Sequence, residues 1–400
     1  MLTDGRWLLD GRFEARTMYV AGGLFVDSAA AGHVTSSIDL GGRFVVPPFA
    51  EAHNHNIEAS PRLDSLLARY LSDGIFYVEN PNVLPRARAA LLGKVNVPQG
   101  VDVLFANGGL TGTGGHPMDL ARRNVARGIW RDSDTEGAFF WAIDSIADLV
   151  RKWPAILSQH PDFIKLYLLH SEEYQRRKAD DAFLGWRGLD PAVVSSVVTR
   201  AHTAGLRVAA HVETAHDFDV AIAAGVDQIA HTPGFRGERG QLPDPAAYRI
   251  TRESAMKASR QGTTVVTTLA GIAGVDLHGP DSSRRKAFDA LHRANLTTLK
   301  DAGVQVLLGS DNYSGDGKDE AAYLQSLGVF SNAELLVLWT ETTPRAIFPA
   351  RRIGILQPGY EASFLVLSCD PVQHFQCVDS LTIRYKSGAP VGETRGAASR

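Results

Sequence analysis

A rhythm in the middle of this chain constrains its fold more than any other feature. Short apolar, β-branched runs recur at Gly74–Val78, Val101–Phe105, Phe163–Leu168, Leu206–Val212, Val226–Ala230, Thr263–Leu269 and Val304–Leu308, with Phe44–Pro48 leading into Ala52 as an eighth. Helix patterns lie between several of them. Asp190-Pro191 pairs an N-cap with proline at the first helical position, Val194, Val198 and Ala201 follow at helical spacing, and Gly205 closes the segment. Asp281 or Ser282 opens a second helix carrying Phe288, Leu291 and Leu299. Near-continuous apolar strands alternating with helices imply a parallel sheet covered by helices. Eight units over residues 48–351 average about 38 residues, the scale of a (β/α)8 TIM barrel. The competitor is an open doubly wound sheet. It is disfavoured because no glycine-rich phosphate loop joins a first strand to its helix.

The ends of the chain read differently. Residues 1–47 hold strand-like Thr17–Val20, Gly23–Val26 and Phe44–Val46. Residues 352–400 hold Ile353–Leu356, Ser363–Leu367 and Leu381–Ile383. Neither set could bury a core alone. Joined, they predict one small β-sandwich into which the barrel of residues 48–351 is inserted. Two connections exceed plain βα loops, Gly109 to Asp162 (with GGLTGTGGHP) and Leu169 to Leu189, and both read as lids or binding loops.

Charge and composition exclude several functions. With 41 basic against 44 acidic residues the formal charge is -3, which lacks the surplus needed to bind nucleic acid. No apolar run reaches the length of a membrane span. The opening MLTDGRWLLDGRF has no basic stretch followed by an apolar one, so the expected location is the cytoplasm, or the periplasm or exterior had a leader preceded it. Cys369 and Cys377 are the only cysteines; one short-loop disulfide is open to them, and two free thiols are expected. A homo-oligomer remains open.

Chemistry-bearing residues gather at strand ends. His53-Asn54-His55 follows the first barrel strand, and residues two apart on a strand face one side. Among 13 histidines in 400 residues, roughly 0.4 such pairs arise by chance, so placement carries the weight. Strand five ends VAAHVET with His211, strand six ends DQIAHTP with His231, and strand eight ends LLGSDNY with Asp311. Lys165 lies inside the apolar run FIKLYL, where an unpaired charge is costly. One strand-end histidine is usually a packing residue and one strand-end aspartate a helix cap. Five strands contributing to one rim, where barrel enzymes place their chemistry, imply a metal site.

These pieces, VVPPFAEAHNHN, FIKLYL, VAAHVETAHD, GVDQIAHTPG, LLGSDN and the tail IGILQPGYEASFLVL, together resemble the metal-dependent amidohydrolase superfamily over nearly the whole chain. Two departures are Ser363, where such tails usually carry aspartate, and Pro47-Pro48 in place of Pro-Gly. The resemblance implies that Lys165 reacts with carbon dioxide to form a carbamate bridging two divalent metal ions. It assigns His53, His55 and Asp311 to the first ion and His211 and His231 to the second. Ligands without thiolate suit zinc, with manganese, cobalt or iron as alternatives. A metal-bridging hydroxide would attack an amide carbonyl while Asp311 acts as general base and then acid.

Within the superfamily the rival is a one-metal deaminase or cyclic-amide hydrolase. Those usually carry glutamate three residues after the strand-five histidine; here that position is Thr214, while Glu213 stands two residues on. The FIKLYL and GGHP segments resemble the group of Xaa-Pro dipeptidases and imidazolonepropionase-like proteins, which implies a short peptide or N-acyl amino acid substrate. A non-catalytic scaffold of the same fold would have lost ligands, and every expected position is filled. Candidate substrate contacts are His116, Tyr167, Tyr313 and Arg236, with Arg239 a second candidate clamp. His202 and His216 read as structural; His33, His160, His170, His278, His292 and His374 have no assigned role.

Overall fold

The computed structural model describes residues 1–30, 32–58, 60–241, 244–270 and 282–392. The first residues form β1 (Leu2–Leu9), β2 (Arg12–Ala21), β3 (Leu24–Val26), β4 (Ile38–Asp39) and β5 (Phe44–Val46). The barrel follows with β6 (Phe49–Glu51), β7 (Ile75–Asn80), β8 (Asp102–Phe105), β9 (Gly109–Thr111), β10 (Phe140–Ala142), β11 (Ile164–Tyr167), β12 (Val208–His211), β13 (Gln228–Ile229), β14 (Thr264–Val266) and β15 (Val306–Leu307). The chain closes on β16 (Phe364–Leu367), β17 (Leu381–Lys386) and β18 (Ala389–Pro390).

Both ends share one sheet, ordered β18-β17-β16-β5-β1-β2-β3 with β4 beside β1. Trp7, fully buried, holds it together, with ring centroids 5.8 Å from both Phe25 and Phe364. The run expected as one barrel strand is split. Phe44–Val46 pairs with β1 and β16, Pro47-Pro48 carries the chain across, and the barrel begins at Phe49. Proline suits this crossing because it offers no N–H to either sheet.

The barrel strands run parallel as β6-β7-β8 and as β9-β11-β12-β13-β14-β15, with β10 beyond β9. Ala52 N donates to Leu308 O (2.8 Å) and closes β15 against β6. Asp162 N donates to Phe105 O (2.8 Å), and Phe105 N to Asp162 Oδ2 (2.8 Å), joining β8 to the chain entering β11. Strand three resumes as β9 beside β11, where Leu110 faces Leu166. The long connection after it holds β10 and the helices Met118–Ala126 and Ile146–Ser158, the latter capped by Ser145. Helix Pro191–Thr203 starts at the expected Asp190 cap; Asp281 and His278 lie outside the described residues.

Two glycines admit the site. A Cβ at Gly309 would lie 2.7 Å from His53 N, and one at Gly109 would lie 2.4 Å from the Tyr167 ring. Contrary to the expected free thiols, Cys369 and Cys377 form a disulfide. The short helical turn Phe375–Asp379 folds the chain back and brings their Cα atoms to 5.5 Å, inside the bridging range. Among the described residues no helix is long and apolar enough to cross a membrane.

Candidate metal centre and substrate cavity

The carboxyl ends of five barrel strands bring His53, His55, Lys165, His211, His231 and Asp311 to one place. His53, Lys165, His211 and His231 are buried. His53 Nε2 lies 3.2 Å from His55 Nε2, and Asp311 Oδ1 lies 3.6 Å and 3.4 Å from those nitrogens. His231 joins the same set, with ligand atoms of His53, His231 and Asp311 all within 4.8 Å of one another. Its ring is also 4.4 Å from that of His211, so it sits between the two groups that the sequence resemblance separates.

Local backbone structure aims these side chains. Ser310 N and Asp311 N both donate to His53 O (3.2 and 2.9 Å), locking the strand-eight turn onto strand one. Asp311 takes φ of +50°, a region uncommon for non-glycine residues. Glu51 braces the turn by accepting from Ser310 N (2.9 Å) and from the Ser310 hydroxyl. Thr268 also sits at positive φ (+52°), unfavourable for a β-branched residue, and its Oγ1 lies 2.8 Å from His231 Nδ1. That contact occupies one ring nitrogen and leaves the other to the cluster.

Burial sets the protonation states. It pulls His53, His211 and His231 well below the ordinary histidine range and takes His55 to about 3, so the rings are neutral and carry lone pairs. Burial lowers Lys165 to about 7 against the pull of Asp311 and Glu79, and raises Asp311 to about 6 against Lys165. Among the described residues, Lys165 Nζ, His53 Nδ1 and Asp311 Oδ1 are buried without a hydrogen-bond partner. Buried polar atoms are seldom left so. Neutral imidazoles, a carboxylate and an orphaned amine form a donor set that fits divalent cations.

A cavity of about 820 Å³ opens on this cluster, and the four candidate substrate contacts line it. His116 lies 5.3 Å from the His211 ring, near parallel, and edge-on to Tyr167 at 5.2 Å; burial keeps it neutral, at about 3. Tyr313 stacks on His55 at 5.5 Å and is 62 % exposed. Arg236 is not a solvated loop arginine. Its Nε donates to Glu213 Oε1 (2.8 Å), its Nη2 donates to the same oxygen, and its guanidinium carbon sits 5.4 Å from the Trp186 ring and 5.2 Å from that of Phe235. Arg239 instead donates to Ala182 O (2.5 Å) and does not line the cavity. His202 pairs with Asp227 (2.9 Å) on a helix outside the barrel, and His216 is exposed.

Sequence reasoning missed Glu213 and Asn82. Glu213 stands two residues after His211, the spacing that shares a strand face, and its Oε1 lies 3.0 Å from His211 Nε2. Asp217 Oδ2 accepts from Glu213 N and Thr214 N (both 3.1 Å) and turns the chain into the next helix. Thr214 caps the next helix by accepting from Asp217 N (3.1 Å). Asn82, in the ENPN segment after β7, donates to the Tyr167 hydroxyl (2.8 Å).

A family model described as the amidohydrolase family matches residues 109–376. No curated protein matches the chain. Among solved structures, an amidohydrolase shares 20 % identity at a TM-score of 0.70, covering 98 % of both chains. A Xaa-Pro dipeptidase with methionine bound in its active site shares 16 % at 0.72, covering 98 % of this chain and 99 % of that one. The ochratoxinase of A. niger shares 16 % at 0.73, covering 97 % and 94 %. At these identities the likeness is one of fold. The family match spans most of the barrel and runs into the closing sheet, and on that match the chain belongs to the amidohydrolase family, hydrolases acting on carbon–nitrogen bonds.

Proposed function

We propose that the chain hydrolyses the amide bond of an N-acyl amino acid or short peptide, with His53, His55, Lys165, His211, His231 and Asp311 holding two divalent cations, zinc by donor type. The observation that carries this reading is the convergence of neutral imidazoles on a buried, unpartnered lysine amine and aspartate oxygen. A neutral amine adds to carbon dioxide, forming a C–N bond and releasing one proton; the resulting carbamate offers two oxygens where the amine offers one nitrogen. Bound there, the cations supply a water of lowered pKa and polarise the scissile carbonyl. Asp311 would take up a proton and hand it to the leaving nitrogen.

The remaining residues bind and orient. The Tyr167 hydroxyl, fixed by Asn82, and the neutral His116 face the substrate carbonyl region. Arg236 takes the substrate carboxylate in a charge-assisted pair. Tyr313 covers the mouth beside His55. Glu213 is committed to Arg236 and Thr214 carries a hydroxyl, so neither supplies the free carboxylate that a one-metal deaminase uses.

Asp311→Asn tests the scheme. In metal-loaded enzyme, kcat on N-acyl amino acids and dipeptides should fall about a thousandfold while the melting temperature stays within a few degrees. Near-normal kcat in that variant refutes the proton-transfer role. A wild-type protein that binds no stoichiometric metal refutes the whole reading.

A further inference from the structure

The Glu213 carboxylate joins two systems that otherwise approach the cavity from different loops. It is 1 % exposed, and a single oxygen, Oε1, receives His211 Nε2 (3.0 Å), Arg236 Nε (2.8 Å) and Arg236 Nη2. We propose that Glu213 is a positioning residue serving the metal centre and the substrate carboxylate at once. The proposal rests on the reading above, in which His211 is a ligand and Arg236 a substrate clamp.

The argument for His211 is one of tautomers. A neutral imidazole carries one hydrogen, and an acceptor oxygen at Nε2 keeps it there. The lone pair is then fixed on Nδ1, the nitrogen left for a cation. A carboxylate behind a histidine ligand sets ring orientation and raises basicity. The argument for Arg236 is one of edges and faces. Rings on Trp186 and Phe235 lie against the guanidinium at 5.4 and 5.2 Å. Phe235 is itself stacked on His231, with centroids 4.3 Å apart and planes 12° apart. Glu213 takes the Nε–Nη2 edge, so the group is held in plane and the Nη1 side is presented to a carboxylate in fork geometry. One buried anion thereby orients a metal ligand and restrains a recognition group through the same atom.

The test compares Glu213→Ala, Glu213→Gln and Arg236→Ala with wild type. It reads zinc affinity by chelator competition, and kcat and KM on an N-acyl amino acid and on its carboxamide. Glu213→Ala should bind zinc about 10–100-fold more weakly and raise KM for the carboxylate substrate about tenfold or more. Glu213→Gln retains an Oε1 for the same three donors but not the charge, and should fall between wild type and Glu213→Ala in both zinc affinity and KM. Arg236→Ala should raise KM for the carboxylate more than for the carboxamide and weaken zinc binding less than Glu213→Ala does. If Glu213→Ala keeps either wild-type zinc affinity or wild-type KM, the dual role is wrong. Equal losses in the Gln and Ala variants would replace positioning by net charge and overturn it too. Should the Ala variant fail to fold, Glu213→Asp, one carbon too short to reach both partners, must show the same paired losses. A wild-type enzyme without zinc binding or without amidase activity defeats the underlying reading instead, an outcome visible before any variant is made.

Discussion

Asp217 is the most heavily bonded carboxylate near the candidate centre, and removing it should cost stability in a calculable way. It is fully buried. Its Oδ2 accepts from His170 N (2.9 Å), Glu213 N and Thr214 N (both 3.1 Å); its Oδ1 accepts from Ser171 N (2.7 Å) and Ser171 Oγ (2.5 Å). The side chain thus ties the exit of β11, which carries Lys165, to the exit of β12, which carries His211. Asp217→Ala leaves four backbone N–H groups without their acceptor. Bonds to a charged group contribute about 1.5–3 kcal/mol each, but five donors sharing two oxygens are not additive, and water could enter the vacated space. A loss of about 4 kcal/mol is therefore expected, near the upper end for single substitutions. At about 2–4 °C per kcal/mol for large domains, the melting temperature should drop by on the order of 10 °C. Asp217→Asn keeps one acceptor oxygen and should lose about half as much. Circular-dichroism melts at saturating zinc, repeated in chelator, measure this with ligand linkage held fixed. A drop below about 2 °C for the alanine variant would show that solvent replaces the acceptor and that the buried-donor reasoning is wrong.

Two further variants probe the walls of the site. Glu320 accepts from Leu269 N and Ala270 N (2.9 and 2.6 Å to Oε2), and burial raises it from 4.5 to about 7. An acid raised in the folded state contributes stability that is fully present below 4.5 and lost as pH climbs through about 7. Glu320→Gln should therefore gain about 3 kcal/mol on wild type between pH 4.5 and 8, read by urea unfolding; a pH-independent difference sinks the assignment. Thr268→Gly relieves a β-branched residue at positive φ, worth about 1–2 kcal/mol, while deleting the hydroxyl at His231. Stability should hold within about 1 kcal/mol as zinc affinity falls about 10–100-fold, with Thr268→Ser restoring affinity; unchanged chelator competition in the glycine variant refutes the orienting role.

The barrel was legible because its strands are buried on both faces and read as unbroken apolar runs between helices. The strand-end polar groups were legible for the related reason that His211, His231 and Asp311 interrupt such runs where nothing apolar need follow. Lys165 announces itself as a charge inside Phe163–Leu168. Legibility fails where tertiary contacts override local period. Phe44–Val46 pairs with β1 and β16, as its place among the end strands implies, but its run into Pro48 also reads as the first barrel strand, and only the crossing at Pro47-Pro48 separates the two sheets. Glu213 shares the His211 side at the two-residue strand spacing, but its second partner, Arg236, lies 23 residues on, where local period is silent. Nothing local to Arg236 signals how it is held, because its partner lies 23 residues earlier. The thiols of Cys369 and Cys377 meet through a helical turn whose formation the intervening residues do not advertise.

The same architecture separates chemistry from recognition. Metal-ligand candidates leave from strand ends, where hydrogen bonds such as Ser310 N and Asp311 N to His53 O fix them to the barrel frame. The candidate substrate contacts that line the cavity come from the connections beyond: His116 after β9, Arg236 after β13 and Tyr313 after β15. A barrel of this kind can exchange its loops, and with them its substrate, without disturbing the donor cluster. That independence breaks down at one place. Glu213 bonds to a strand-end histidine and a loop arginine through one oxygen, so a change in the Arg236 loop reaches His211 through a single intermediary. Substitutions in the His116 and Tyr313 loops touch the cluster only by ring contact, with no hydrogen bond to transmit a change of tautomer. Specificity should therefore vary more freely through those two loops than through the segment that carries Arg236.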